Sequence, residues 1–332
     1  MEASEELRRL INGFQISQAL HVAAELGLSD LMATGPRTVT ELAEQTGTHE
    51  PSLFRLLRAL ASIGVYEQHQ DAHFANSELG EALRIDAPGS PGGWARLVGS
   101  RYQWQAWGAL EHSVRTGENA FTSIEGMSIW EFRQRHPQEG AVFDAAMTSL
   151  TARVADAVVD AYDFGAHKTL VDVGGGHGWL LATILARTPS LHGVLFDQPT
   201  VVADAAPTLA DAGVSSRCRV VGGDFFDTVP AGADAYLLKS IIHDWPDDES
   251  VAILRVCRSA MAPNGVLLLV ERVLDEGPER AGTAFSDLNM LVLPGGQERT
   301  VEEYRTLLAT AGLRLAGVTP AGQSFVLSAA PE

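Results

Sequence analysis

Apolar and polar positions keep two different rhythms along this chain. Over the first hundred residues the spacing is helical: Ile11, Phe14, Ile16, Leu20, Ala23 and Leu26 form one apolar stripe. Leu26-Gly27-Leu28-Ser29-Asp30 reads as a helix end. Thr38-Val39-Thr40-Glu41-Leu42-Ala43 reads as the start of a short helix capped by Thr40, and Gly47 as the turn after it. A second helix is expected over Glu50–Ile63, with Leu53, Leu56, Leu57 and Leu60 on one face. Gly64–Glu67 and His73–Ala75 have the pattern of a small β-wing. This order predicts a winged helix. Residues 87–96, rich in Gly and Pro, are a junction, and residues 97–162 return to helical spacing with Trp104, Trp107, Phe121, Trp130, Phe132, Phe143 and Met147 among them.

From Thr169 the rhythm changes. Short apolar runs at Leu170–Val173, Gly193–Asp197, Cys218–Gly222, Ala235–Lys239 and Gly265–Glu271 read as strands, followed by two more at Leu313–Val318 and Ser324–Ala329. Helices are expected near Trp179–Ala186, Val201–Ala212, Asp248–Ala260 and Val301–Ala311. Alternating strands and helices predict an α/β, doubly wound, Rossmann-like sheet behind a helical front domain. Three regions follow: a winged-helix-like domain over 1–100, a helical linker over 101–162 and a ligand-binding α/β domain over 163–332.

The first strand runs into Gly174, Gly175, Gly176 and Gly178, and a helix follows at once. Glycines at such a turn let backbone N–H groups approach a ligand closely. Asp172 stands just before the turn, where it can brace the loop or the ligand. The dinucleotide fingerprint G-x-G-x-x-G would need its third glycine at 179, where this chain has Trp179. An adenosyl ligand without a pyrophosphate fits the spacing better.

Composition narrows the partners. The net charge is −18, and Lys168 and Lys239 are the only lysines. The front hundred residues hold seven Arg against thirteen Asp and Glu, 7 − 13 = −6. An acidic winged helix is a poor phosphate binder, so no nucleic-acid partner is expected and a dimerisation or lid role is favoured. Cys218 and Cys257 are isolated and offer no metal-ligand spacing, so no metal is expected. No run has membrane-spanning length and no signal-peptide pattern opens the chain, which makes a cytoplasmic protein the default.

In a doubly wound sheet ligands bind beyond the carboxyl ends of the strands. Those ends carry Asp197-Gln198, Asp224-Phe225-Phe226, Lys239 with His243-Asp244-Trp245, and Glu271. Asp197 lies 23 residues beyond Gly174, the separation at which a carboxylate reaches ribose hydroxyls. Asp224 beside Phe225 suits an adenine, accepting from its amino group while the ring packs on the base. Arg153, among Ala and Val on the helix leading to the glycine turn, can meet a ligand carboxylate or simply face solvent.

The segments VDVGGGHG, FDQP, GDFF, LLKSIIHDWPDDESVAIL and PGGQERT resemble the S-adenosylmethionine-dependent O-methyltransferases of the caffeic acid and acetylserotonin type. Within that family the chain is most similar to the bacterial natural-product tailoring branch that includes mitomycin and carminomycin O-methyltransferases, and TGENAF and AYDF extend the resemblance over nearly the whole chain. The resemblance implies that Gly174 and its neighbours hold the methionine part of S-adenosylmethionine. It puts Asp197 on the ribose, Asp224 and Phe225 on the adenine, and Lys239 beside the cofactor. It also implies that His243 is the general base, flanked by Glu271 and Glu298. Trp104, Phe143, Met147, Asp244, Asn289 and Leu293 would line the place of an aromatic acceptor. S-adenosylhomocysteine would be the product, no metal would be needed, and the front domain would form a homodimer. The chain departs from plant members at Leu150, where they carry a histidine, so a phenylpropanoid acceptor is not implied.

The chemistry suits these residues. A phenol of pKa ~10 is a weak nucleophile at neutral pH. A neutral imidazole can take its proton as the oxygen attacks, and carboxylates can orient that imidazole. Three function classes stay open: an O-methyltransferase; an enzyme of the same fold that methylates nitrogen or uses the cofactor as a hydroxylase does; and a winged-helix ligand-sensing regulator. His243 favours the first over the second, and the acidic charge disfavours the third.

Overall fold

The computed structural model describes residues 3–87, 89–274, 276–277 and 280–332. Met1 and Glu2 of the 1–100 region and Pro88 of the 87–96 junction lie outside the described residues. The chain divides into two compact units. Residues up to Trp104 with Gln138–Leu150 form one, and Gln105–Pro137 with Thr151–Glu332 form the other.

In the first unit, helices Ala3–Ile11, Gly13–Glu25, Val39–Thr46 and Glu50–Ser62 accompany a small antiparallel sheet. Its strands β1 (Arg37–Thr38), β2 (Tyr66–Gln68) and β3 (His73–Asn76) run in the order β1-β3-β2. Leu42, Leu53, Leu57, Leu60 and Phe74 bury their side chains in one core, as the helical spacing of the leucines requires. The cap of Val39–Thr46 is Thr38, not Thr40. The Thr38 hydroxyl accepts the Glu41 N–H while the Glu41 carboxylate accepts the Thr38 N–H, and that reciprocal pair needs Glu three residues after the cap. Trp104 meets Phe14 edge-on at 6.3 Å. Phe143 and Met147, half-buried, lie on the part of helix Pro137–Ala161 that belongs to this unit.

The second unit is built on a seven-stranded sheet. Its strands are β4 (Thr169–Val173), β5 (His192–Asp197), β6 (Cys218–Gly222), β7 (Ala235–Lys239), β8 (Val266–Glu271), β9 (Leu313–Ala321) and β10 (Ser324–Pro331). Their order is β6-β5-β4-β7-β8-β10-β9. The first five are parallel, and β10 pairs antiparallel to both β8 and β9. Successive side chains point to opposite faces, and both faces are covered. Val171, Val173, Tyr236, Leu238, Leu267 and Leu269 enter one core; Leu170, Ala235, Leu237, Leu268 and Val270 enter the other. The strand direction of travel reverses at β4, so the turn after β4 sits at the switch point where this sheet class binds ligands.

Two elements differ from expectation. The single helix expected over 201–212 is two, Pro199–Val202 and Ala206–Asp211. Pro207 lacks an N–H and its ring would strike the carbonyl of Ala203, so one helix cannot run through it. Helix Arg280–Val292 was not among the expected helices. It buries few large apolar side chains and leaves Phe285 exposed, so its apolar stripe is weak.

Candidate active site

The turn after β4 is shaped by what cannot be there. Gly174 and Gly176 have φ of 71° and 59°, in the left-handed region. A Cβ on Gly175 would lie 2.5 Å from Leu195 Cδ1 and 2.6 Å from Asp172 Oδ2. The loop therefore rests directly on the buried Asp172 carboxyl group. Burial, with the charge of Asp197 nearby and Lys239 opposing, pushes the Asp172 pKa up to about 7. Its Oδ2 is buried without a hydrogen-bond partner in the protein.

Asp197 closes the same cradle. Its two oxygens accept from the Gly176 N–H at 2.8 Å and the Gln198 N–H at 2.7 Å. Burial raises its pKa, against those two hydrogen bonds. The Gln198 side-chain carbonyl accepts from Gln134 Nε2 at 3.0 Å. Asp224 Oδ1 accepts the Phe226 N–H at 2.9 Å and fixes the turn that carries Phe225. Phe225 and Phe226 both pack edge-on to Trp245, at 6.1 and 4.7 Å, and Trp130 stacks on Trp245 at 5.6 Å. Three carboxyl groups, an orphaned acceptor and open space above Gly176 suit a ligand rich in positive charge and hydroxyl donors. They do not suit a pyrophosphate. A sulfonium amino acid joined to an adenosine has that chemistry.

His243 sits on a single 3-10 turn, Ile242–Asp244, after β7. Its Nδ1–H donates to Glu298 Oε1 at 3.0 Å, which fixes the tautomer and leaves Nε2 on the other edge of the ring. Glu271 also flanks the ring, but at 3.8 Å. Its Oε1 is taken by the N–H groups of Ile241 and Ile242, at 3.1 and 2.9 Å. Ser240, with φ of 53°, is the strained residue that turns those two N–H groups toward one carboxylate. Asp244 Oδ1 lies 3.6 Å from Nε2.

The electrostatics follow from this crowding. Burial favours a neutral imidazole, but Glu298, Glu271 and Asp244 together outweigh it and push the His243 pKa up to about 10. Burial raises Glu271 to about 7 and Asp244 to about 6, in each case against the attraction of His243. Glu298 is also penalised by burial, yet its bonds to His243 and Ser286 hold it below the usual carboxylate range. Ser286 Oγ donates to the same Glu298 oxygen at 2.6 Å, and Asp287 accepts the Glu298 N–H at 2.9 Å. Both come from helix Arg280–Val292. One turn further along that helix, Asn289 Oδ1 accepts the Trp107 indole N–H at 3.0 Å. The carbonyl of the buried Leu293 accepts from Asn119 at 2.6 Å.

The strand ends thus bring together Asp172, Gly174–Gly176, Asp197 and Gln198 as one group. His243, Asp244, Glu271 and Glu298 form another. Lys239, half-buried beside them, loses basicity through burial, opposed by Glu271 and Asp172, and its Nζ bonds Ser240 Oγ at 3.2 Å. Arg153 is exposed and forms no hydrogen bond or ion pair with either group. Ser286, Trp107 and Arg299 have no site role in the reading of the sequence. Ser286 lies in the helix that the spacing did not reveal. Among the described residues no group of three or more His, Cys, Asp or Glu is placed to hold a metal ion.

Residues 8–85 match an O-methyltransferase dimerisation domain, and residues 107–314 match an O-methyltransferase domain. The chain is 46% identical to phenazine O-methyltransferase PhzM of Lysobacter antibioticus over 96% of its own length and 93% of the relative's. It is 43% identical to the mitomycin biosynthesis 6-O-methyltransferase of Streptomyces lavendulae, over 96% and 92%. Among solved structures, human N-acetylserotonin methyltransferase in complex with SAM superposes with a TM-score of 0.90 at 29% identity, over all of this chain and 98% of that one. With the glycine cradle, the buried His–Glu pair and both family domains in place, the chain belongs to the S-adenosylmethionine-dependent O-methyltransferases of the acetylserotonin type, alongside bacterial enzymes of natural-product biosynthesis.

Proposed function

We propose that the chain moves the methyl group of S-adenosylmethionine to a hydroxyl of an aromatic small molecule, a secondary metabolite, with His243 as general base. The observation that carries this reading is the His243 Nδ1–H bond to Glu298, which leaves Nε2 as the atom that takes the proton. The cofactor supplies the electrophilic methyl group; the chain supplies binding, alignment and the base. Gly174, Gly175 and Gly176 would hold its methionine part over Asp172. Asp197 and Gln198 would meet the ribose, and Asp224 with Phe225 the adenine. Asp244 and Asn289 would stand on the acceptor side of His243.

A His243 pKa of about 10 equals that of a phenol, so the proton moves between them at little cost. In the free enzyme at neutral pH the imidazole holds that proton already. An acceptor phenol must therefore displace it to solvent on binding, or enter as phenolate; both give the same pair, phenolate facing imidazolium. The oxygen then takes the methyl group and leaves the imidazolium as it stood in the free enzyme, so the one proton of each turnover is the one the phenol gives up on or before binding.

The test is to compare cofactor affinity with turnover in His243→Ala. Calorimetry should show near-normal binding of S-adenosylmethionine, while methyl transfer to a phenolic acceptor falls roughly 10²–10⁴-fold. Near-full turnover around pH 7 would remove the base from the reaction.

A further inference from the structure

Arg299 heads the largest fully buried side chains of the described residues, with 1% of its surface exposed. A buried guanidinium is costly unless its donors are met. Here they converge on one segment. Nη1 donates to the Ile242 carbonyl at 3.0 Å, Nη2 to the Trp245 carbonyl at 2.9 Å, and Nε and Nη2 to Asp247 Oδ1 at 3.0 and 2.8 Å. Ile242 and Trp245 bracket His243 and Asp244 in the chain. The next contacts are on the same turn: the Gln297 N–H donates to the His243 carbonyl at 2.9 Å, and Gln297 Nε2 donates to Asp247 Oδ1 at 2.9 Å. Gly296 lies so close that an added Cβ would fall 2.1 Å from the His243 carbonyl oxygen. One short stretch, Gly296-Gln297-Glu298-Arg299, therefore supplies the carboxylate that bonds the imidazole and grips the backbone on both sides of it.

We propose that Arg299 is a positioning residue: tied to Asp247, it holds the Ile242–Trp245 turn at the spacing that keeps His243 Nδ1 on Glu298. The proposal rests on His243 being the base. Arg299 touches neither His243's ring nor any reacting atom; it acts through the backbone. The guanidinium suits the task because its planar fork reaches two carbonyls and a carboxylate at once, which an ammonium cannot.

The experiment uses the full-length protein. Asp247→Asn weakens the grip from its solvent side, since the Asp247 side chain is 65% exposed. Asp248→Asn is the control: it removes a neighbouring charge from the same first helical turn without touching Arg299. Arg299→Lys is the stronger variant. The first readout is the His243 imidazole pKa, followed by NMR of ring-labelled histidine in the free protein. Glu298, Glu271 and Asp244 face that ring, with Arg133, Lys239 and Arg272 as the cations around those carboxylates. Loosening the turn draws the ring from Glu298, so the pKa should fall by about one pH unit in Asp247→Asn and not in Asp248→Asn. The second readout is methyl transfer to a hydroxyphenazine, in which kcat should drop about tenfold for Asp247→Asn and about 10²-fold for Arg299→Lys, with cofactor affinity unchanged. In a His243→Ala background Asp247→Asn should cost nothing further. An unchanged imidazole pKa and kcat in Asp247→Asn, or an equal loss in Asp248→Asn, overturns the proposal even if Arg299→Lys fails to fold. If His243→Ala itself keeps its turnover, the base reading fails instead.

Discussion

His243 is where the physics is most sharply divided, because burial and charge pull it in opposite directions. Three buried carboxyl groups win, and the consequence reaches beyond catalysis. A histidine whose folded pKa is raised stabilises the native state fully below its unfolded pKa of ~6.5 and loses that contribution as pH rises toward about 10. Glu271 and Asp244, raised by burial to about 7 and about 6, bind protons more tightly in the folded state than in the unfolded one. They therefore act with the same sign over a lower range. The free protein should lose thermal stability as pH is raised from 6.5 to 10, and His243→Ala should flatten that part of the curve. Scanning calorimetry of both proteins across this range checks it; parallel curves would mean that the imidazole is not held as a cation. The identity of these four residues was legible from the segments they occupy. Their division of labour was not: both glutamates flank the ring in sequence logic, yet only Glu298 bonds it, since Glu271 is engaged by the Ile241 and Ile242 N–H groups.

At the scale of elements, the strand, glycine turn and helix over Thr169–Arg187 was the most legible part of the chain, because backbone strain and apolar runs leave direct marks on sequence. Gly175 carries a clear prediction. Its own φ is not in the left-handed region, so the cost of Gly175→Ala is contact with Leu195 and Asp172 at about an ångström inside normal separation. Overpacking of this kind costs about 1–3 kcal/mol, and here it lifts the loop from Asp172. Urea unfolding should show that loss, and cofactor affinity should fall with it; a variant of unchanged stability and affinity would show that the loop does not depend on resting on Asp172. Helix Arg280–Val292 was the least legible element. It carries Ser286, Asp287 and Asn289 toward polar partners instead of a broad apolar stripe toward a core, so its hydrophobic period is faint. The break at Pro207 was there to be read, but a long run of Ala and Val masks it.

For the whole molecule, the first unit leaves a run of apolar side chains in solvent. Leu7, Leu10, Ile11 and Phe14 are each more than half exposed, on helices Ala3–Ile11 and Gly13–Glu25. Monomeric proteins rarely present such a continuous patch, and Leu10, Ile11 and Phe14 fall within the matched dimerisation domain. We expect a homodimer. Light scattering at micromolar concentration should return twice the 35.5 kDa chain mass, and Leu10→Glu with Phe14→Glu should return the single mass; a monomeric wild type would contradict it. The winged-helix order and the α/β alternation were readable as fold class, while the sheet's strand order was not, because pairing across the sheet depends on contacts distant in sequence. That order has a consequence during synthesis. Strand β8, which ends in Glu271, lies between β7 and β10, and β10 leaves the ribosome after it. Until it does, β8 is an open edge, apolar up to Glu271, able to pair with another nascent chain. The exposed period ends only when the β9–β10 hairpin closes, so the strand beside the catalytic turn is also the one on which a chain stalled before β10 would aggregate.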